Sequence, residues 1–460
     1  MSDVFYRKLH KQLPAIVKGE GVWLTDAAGK RYLDASGGAM VCNIGHGVAE
    51  IADAIAEQAR KIAYVNGTQF TSEPVEELAT MLAARAPWAS YKSYFLSSGS
   101  EAVEAALKLA RQYHVERGDL ARKTIIARSP GYHGNTLLAL SASAREHYRR
   151  VYAPWLLDVV MIDAPYPYRA GPLGEASPAM TGDALETAIL SAGPGNVAAF
   201  IAEPIGGSST GASVPPAGYY ARVREICDRF GVLFIADEVL TGAGRTGKFF
   251  ALEHFRTRDG KPVVPDIITL GKGLNGGYAA LSAVMATSSV VETIAKSGGD
   301  FQHAQTYSHH PVAAAASIAT LKYIERNGLI ERAATMGARL QQRLRDATSS
   351  GDPAELVGDV RGIGMLAAVE LVADAQTKRP FPRDMKVAET LVASALERGL
   401  VLWPNVGHAD GHDGDLVMIA PAFTLTASEL DELCDRLKDA LAACASKLRN
   451  VVGRAKLGSI

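Results

Sequence analysis

The sequence predicts an α/β protein with a mostly parallel central sheet and a second, smaller α+β domain. Between residues 94 and 286, short apolar runs alternate with amphipathic helical patterns. This order is typical of parallel strands joined by helical crossovers. Beyond Asn327 and Gly328 the alternation changes, and long helical patterns are separated by isolated strands. A chain of 460 residues is also too long for one simple core.

We therefore predict a large domain over residues 63–327 and a small domain that combines residues 1–62 with residues 328–460. The elements predicted for the large domain are helix 217–230, strands 232–239, 266–270 and 281–286, and a helix from residue 311 to about 327. Those predicted for the small domain are helix 329–347, strand 363–372, helix 384–398, strands 400–403 and 416–420, and helix 427–449.

The composition narrows the class of protein. There are 48 basic and 49 acidic residues, so the charge pattern offers no footprint for nucleic acid. The four cysteines contain no Cys-x-x-Cys pair, and a disulfide framework is not expected in a chain of this size. The sequence shows no apolar signal-peptide core and no long charge-free apolar stretch. We expect a cytoplasmic protein without a membrane span.

Three predicted strands end in residues that carry chemistry. Glu203 closes the apolar run 199–202, Asp237 closes the run 232–236, and Lys272 follows the run 267–270. Because ligands bind outside the carboxyl ends of parallel strands, these side chains should face one crevice. A lysine in such a site has a lowered pKa and acts as a nucleophile. Pyridoxal phosphate uses both groups: lysine holds it covalently and a carboxylate pairs with its ring nitrogen. That cofactor is our leading hypothesis.

Two glycine-containing motifs fit the same hypothesis. Ser98, Gly99 and Ser100 lie between a predicted strand and a helix, where backbone N–H groups bind phosphate. The same residues also fit an ordinary helix cap. Tyr132 and His133 stand between two glycines after a strand. The tyrosine could lie flat on a planar cofactor or simply pack in a turn.

Residues 242–247 offer a competing interpretation. They match G-x-G-x-x-G and follow a strand, as in nicotinamide-dependent oxidoreductases. Several residues separate this strand from the first glycine, however, and Phe249 stands where a P-loop needs Ser or Thr. A loop near residue 410 is rich in His and Asp, but its spacing matches no rigid set of metal ligands, so we predict no metal site.

Taken together, seven motifs in this order and spacing resemble class III, omega-type aminotransferases, and specifically the amine:pyruvate-like subgroup. They lie at residues 98–102, 132–134, 203–204, 237–239, 244–247, 271–273 and 306–311. The resemblance covers nearly the whole chain. It implies a fold-type I transferase dependent on pyridoxal phosphate. It also implies a homodimer, or a dimer of dimers, with active sites at the subunit interface.

The resemblance assigns roles to individual residues. Lys272 would bind the cofactor covalently and move a proton at the substrate carbon, while Asp237 would keep the ring nitrogen protonated. Tyr132 and Val239 would contact the two faces of the ring. Glu203 would orient neighbouring groups.

The implied phosphate site comprises Ser98, Gly99 and Ser100, with His133 also at the cofactor. Thr306 would reach this site from the partner subunit. The implied reaction is a ping-pong transfer from an amine or omega-amino acid donor to a keto acid such as pyruvate. Decarboxylases, racemases and aminomutases share the fold, and a non-enzymatic scaffold is a further alternative.

The substrate pocket departs from the family pattern. Val417 and Trp403 stand where relatives have a carboxylate-binding arginine, and His309 replaces a glycine. The remaining arginines that could bind a carboxylate are Arg245, Arg361, Arg379 and Arg383. The apolar residues predicted to line the pocket are Met40, Phe70 and Trp403.

Overall fold

The computed structural model describes residues 3–457, with side chains described through residue 450. The strands are β1 (Ile16–Glu20), β2 (Trp23–Asp26), β3 (Arg31–Asp34), β4 (Tyr91–Leu96), β5 (Thr124–Ser129), β6 (Val160–Asp163), β7 (Val197–Ala202), β8 (Leu233–Asp237), β9 (Ile267–Leu270), β10 (Ser282–Thr287), β11 (Val357–Ile363), β12 (Leu366–Leu371), β13 (Leu400–Val401), β14 (Trp403–Val406) and β15 (Asp415–Ile419).

The helices are α1 (Gly37–Met40), α2 (Ala49–Lys61), α3 (Glu73–Ala84), α4 (Gly99–Glu116), α5 (Leu137–Ser141), α6 (Glu146–Tyr152), α7 (Pro178–Thr181), α8 (Asp183–Ala192), α9 (Tyr219–Phe230), α10 (Ser288–Lys296), α11 (Pro311–Arg326), α12 (Leu329–Thr348), α13 (Val387–Glu397) and α14 (Ala427–Leu457). The last one continues beyond the predicted end at residue 449. Within the part of the chain that the structure describes, no helix is long and apolar enough to cross a membrane.

The central sheet has the strand order β4-β10-β9-β8-β7-β5-β6. Strand β10 runs antiparallel to β4 and β9, and the other neighbouring pairs are parallel. The predicted mostly parallel sheet is therefore confirmed. Every residue of β7, β8 and β9 is buried. This explains their continuous apolar sequences, because helices cover both faces of a parallel sheet.

Side chains of β7 alternate between two cores. On one face of the sheet Phe200 stacks on Phe234, which also stacks on Tyr220. Ile201 packs on the other face in the cluster that contains Val103 of α4. This alternation follows from the two-residue period of a strand. It fixes the register of the strands whose ends carry Glu203, Asp237 and Lys272.

Two further sheets flank the central one. The first has the order β11-β12-β15-β14 and is antiparallel. The second joins the N-terminal strands β1-β2-β3 to β13, which pairs with β3 in parallel. The N-terminal hairpin thus pairs with a strand from the last quarter of the chain. The domain limits at residues 62 and 327 stay a prediction.

Two predicted strands are wrong in detail. The strand predicted over residues 363–372 is β12, which begins only at Leu366 because Gly364 turns the chain with a φ of +56°; its hairpin partner β11 was not predicted. The strand predicted over residues 400–403 is divided at Leu402, so that β13 and β14 belong to different sheets. A sequence pattern alone does not reveal such a transfer between sheets.

Candidate active site

One cavity lies beyond the carboxyl ends of the central strands, beside the first turn of α4. The predicted cofactor and catalytic residues that line it are Ser98, Gly99, Ser100, Tyr132, His133, Glu203, Asp237, Val239 and Lys272. They come from widely separated parts of the sequence. The parallel order β9-β8-β7-β5 brings them together, because neighbouring parallel strands end at the same edge of the sheet.

Lys272 follows β9 and presents its amine to this cavity. Its backbone has a φ of +45°, a left-handed conformation that non-glycine residues adopt mainly at constrained functional positions. Loss of solvent around the ammonium lowers its pKa to about 8, although Asp237 and Glu203 oppose the shift. A substantial fraction of the amine is therefore neutral near pH 8, as a nucleophile or a base requires.

Asp237 is the last residue of β8 and is nearly inaccessible to solvent. Its Oδ2 atom lies 2.6 Å from Nδ1 of His133. Its Oδ1 atom accepts hydrogen bonds from Oγ1 of Thr269 at 2.9 Å and from the backbone N–H of Val239 at 3.1 Å. Both carboxylate oxygens are thereby fixed, so the group points in one direction.

Glu203 links two loops of the cavity. Its Oε1 atom accepts a hydrogen bond from the backbone N–H of Gly207 at 2.9 Å. Its Oε2 atom accepts one from Oγ of Ser209 at 2.7 Å and one from the backbone N–H of Tyr132 at 3.2 Å. The carboxylate therefore holds the main chain of Tyr132, which agrees with the orienting role implied by the sequence.

The first turn of α4 combines a helix cap with an anion site. Ser98 Oγ accepts the N–H of Glu101, whose carboxylate accepts the N–H groups of Ser97 and Ser98. The N–H groups of Gly99 and Ser100 have no hydrogen bond to protein within residues 3–457. Free N–H groups at a helix N-terminus bind phosphate. The helix cap is therefore present, and the N–H groups of Gly99 and Ser100 are available to bind a phosphate.

Gly99 is required by its contact with Val239. A Cβ atom at Gly99 would lie 2.6 Å from Cγ1 of Val239, closer than side chains tolerate. Tyr132 lines the same cavity, and its hydroxyl accepts a hydrogen bond from Nδ2 of Asn135 at 3.1 Å. An aromatic ring, an aliphatic side chain, a carboxylate, a lysine and a phosphate-binding turn thus surround one space, and they fit pyridoxal phosphate.

Arg145 is the functional candidate that sequence reasoning missed. It is 9% exposed and contacts Oγ of Ser208 at 3.1 Å and Oδ1 of Asn405. Its Cζ atom lies 5.6 Å from the ring centroid of Tyr132. Burial lowers its pKa, and within residues 3–450 no carboxylate lies within ion-pair distance of its guanidinium. A run of small residues precedes it, and an arginine in such a run is the one sequence signal for this position.

The four arginines considered from the sequence lie elsewhere. Arg245 is fully buried and donates to two backbone carbonyl groups. Arg361 and Arg383 are paired with carboxylates outside the cavity. Arg379 is exposed. None of them lines this cavity of its own chain, and their role as carboxylate anchors stays a prediction.

The residues predicted to form the substrate pocket do not line the cavity of their own chain. Met40 is buried, and Trp403 packs against the same apolar core. Phe70 is 65% exposed. Thr306 also lies outside this cavity, in an exposed turn. His309 packs its ring against Tyr94, with the centroids 4.6 Å apart.

Residues 242–247 do not form a dinucleotide site. The segment after β8 consists of turns, and no helix begins there whose N-terminus could bind a pyrophosphate. Gly247 packs directly on Ala334 of α12, where an added Cβ atom would lie 2.7 Å from the alanine side chain. The oxidoreductase alternative is therefore wrong, because the glycines serve contact between chain segments.

Comparisons with known proteins agree with this geometry. The model of the "Aminotransferase class-III" family matches residues 5–441. The chain is 40% identical to the uncharacterized aminotransferase YodT of Bacillus subtilis, over 96% of this chain and 98% of the relative. It is 35% identical to the putrescine–pyruvate aminotransferase of Pseudomonas aeruginosa, over 93% and 90% of the two chains.

Solved structures give the same result. An (S)-enantioselective omega-transaminase from Thermomicrobium roseum superposes with a TM-score of 0.85 at 36% identity, covering 96% of this chain and 94% of the other. An amine transaminase from an uncultivated Pseudomonas species, in its PLP-bound form, superposes with a TM-score of 0.87 at 32% identity, covering 96% and 99%.

Fold and site together define a transferase of fold type I that depends on pyridoxal phosphate. The chain belongs to the class III aminotransferases. It catalyses amino transfer between an amino donor and a keto acid, as this family does. The predicted fold class, cofactor and reaction type are confirmed.

Proposed function

We propose that this enzyme transfers the amino group of an amine or omega-amino acid to a keto acid such as pyruvate, by a ping-pong mechanism. Arg145 supports a keto acid acceptor, because it is a buried cation beside Tyr132 and none of the carboxylates described over residues 3–450 forms an ion pair with it. A guanidinium in this setting suits a substrate carboxylate. The similarity to a putrescine–pyruvate aminotransferase supports pyruvate in this role.

The catalytic roles follow from the contacts in the cavity. Pyridoxal phosphate, when bound, withdraws electrons from the substrate carbon that bears nitrogen and carries the amino group between the half-reactions. Lys272 supplies a neutral amine that takes the proton from that carbon and later returns it. Asp237 places a fixed negative charge where a protonated ring nitrogen is stabilised, and His133 and Thr269 hold its orientation.

The remaining cavity residues bind the phosphate group or hold other residues of the site in position. The N–H groups of Gly99 and Ser100 bind phosphate at the start of α4. Tyr132 and Val239 line the cavity and would contact the two faces of the cofactor ring, and Glu203 holds the main chain of Tyr132 in place. These roles match those implied by the family resemblance.

The proposed quaternary state is a homodimer or a dimer of dimers, in which Thr306 completes the partner's phosphate site. Thr306 is exposed and outside its own chain's cavity, and its neighbour Tyr307 is 59% exposed. Mixed dimers of Lys272→Ala and Thr306→Val chains test this arrangement. If Thr306 acts across the interface, mixing restores one site with normal cofactor affinity. If it acts within its own chain, or not at all, mixing restores nothing.

The cytoplasmic location also stays a prediction.

The competing reactions are decarboxylation, racemization and aminomutation on the same fold. Initial rates measured while donor and pyruvate are varied together separate them from transamination. A ping-pong transferase gives parallel double-reciprocal lines and converts pyruvate to alanine in step with loss of donor. Release of carbon dioxide, or a change of donor chirality without alanine formation, would contradict the proposal.

A further inference from the structure

A second arginine lies beside Arg145, on the N-terminal segment. Arg7 donates a hydrogen bond from Nη2 to the hydroxyl of Tyr148 at 2.8 Å, and its Cζ atom lies 5.0 Å from that ring's centroid. The Cζ atom of Arg145 lies 5.0 Å from the same centroid. The Cζ atoms of Arg7 and Arg145 are therefore no farther apart than the sum of these two distances of 5.0 Å.

This pair of cations lacks acidic partners. Among the side chains described, those of residues 3–450, no Asp or Glu oxygen lies within ion-pair distance of either guanidinium. His147 adds no charge at neutral pH, because burial and both arginines lower its pKa to about 4. Glu203 is the acidic group whose field reaches Arg145, and its two oxygens already bind Gly207, Ser209 and Tyr132. Two like charges on one aromatic ring are unfavourable unless an anion binds near them.

The two cations differ in how firmly they are held. Arg145 is buried and fixed by Ser208 and Asn405. Arg7 is exposed, and Tyr148 supplies both its side-chain hydrogen bond and its cation–π contact. Arg145 contacts both Tyr148 and Tyr132, which lines the cofactor cavity and whose ring centroid lies 6.5 Å from that of Tyr148. Arg145 is thus the inner cation and Arg7 the outer one.

We propose that Arg7 is a specificity-determining residue that binds the distal acidic group of a dicarboxylic amino donor. The proposal rests on the function proposed above, in which Arg145 binds the carboxylate nearer to the cofactor. Aspartate and glutamate are beta- and gamma-amino acids with respect to their distal carboxylate, and such a short dicarboxylic donor would bind both guanidinium groups at once. A monocarboxylic amino acid satisfies Arg145 alone and leaves Arg7 unpaired.

Half-reactions without acceptor test this inference on the purified holoenzyme. Second-order rate constants are measured for L-aspartate, L-glutamate and L-alanine with the wild type and with Arg7→Ala. We expect the variant to lose about tenfold or more with the dicarboxylic donors, the loss of one bond to a charged group, and less than about threefold with L-alanine. Arg7→Lys should retain part of the dicarboxylate preference, because it keeps the charge.

Lys8→Ala is the matched control, since it removes one positive charge from the neighbouring exposed position. Equal losses for L-alanine and the dicarboxylic donors in Arg7→Ala, or an equal effect of Lys8→Ala, would overturn the inference. So would a wild type that prefers L-alanine to both dicarboxylic donors. A wild type that reacts with 1-phenylethylamine or putrescine but with none of the three amino acids would overturn this inference alone, whereas one that also fails to react with these amines would refute the proposed function.

Discussion

Replacing Arg145 tests how the enzyme recognises a substrate carboxylate. The guanidinium has five N–H groups. Ser208 and Asn405 occupy two of its nitrogens, so N–H groups remain for a substrate. Two hydrogen bonds to a carboxylate contribute about 3 to 6 kcal/mol. We therefore expect Arg145→Gln to lower kcat/KM for pyruvate by at least about a hundredfold.

The same substitution should spare donors that lack a carboxylate. For 1-phenylethylamine we expect a half-reaction rate within about threefold of the wild type, because no bond to Arg145 is lost. Arg150→Gln, at an exposed position on helix α6, which begins directly after Arg145, controls for the change in net charge. Removing a buried cation without a carboxylate partner should also leave the melting temperature unchanged or higher. An equal loss for pyruvate and 1-phenylethylamine would refute the assigned role and indicate a structural one.

Three further predictions concern the cofactor site. Lys272→Ala should abolish turnover while the protein still binds pyridoxal phosphate reversibly; near-normal turnover in a steady-state assay would exclude the lysine mechanism. Capture of added cofactor by the apoenzyme should accelerate as pH rises through about 8, because the neutral amine of Lys272 then becomes the main form; a stopped-flow rate independent of pH would contradict this. Gly99→Ala should raise the dissociation constant for the cofactor by about tenfold, because the new methyl group displaces Val239. A titration that gives an unchanged dissociation constant would show that this contact is dispensable.

The buried strands and their chemistry could be predicted from the sequence for a physical reason. β7 and β8 are covered on both faces, which produces continuous apolar runs that stand out from the rest of the chain. The carboxylates at their ends are equally visible, because Asp237 and Glu203 interrupt these runs abruptly. Because β7 and β8 are parallel, the carboxylates of Glu203 and Asp237 lie at the same edge of the sheet.

Arg145 could not be predicted in the same way. Its role depends on Ser208, which is 63 residues away in sequence, and on Asn405, which is 260 residues away. No local period or motif records such contacts. The same limit applies to β13 and β14, which are adjacent in sequence but pair with different sheets. Tertiary pairing decides these features, and local propensity does not.

The most direct test of amino transfer is the absorption spectrum of the purified holoenzyme during a single half-reaction. L-Alanine, β-alanine, taurine, 1-phenylethylamine and putrescine are added one at a time without a keto acid. The account predicts that at least one donor converts the pyridoxal absorption to that of the pyridoxamine form, and that pyruvate then restores the original spectrum. If the pyridoxal absorption persists while a donor loses carbon dioxide or changes chirality, amino transfer is not the reaction of this enzyme.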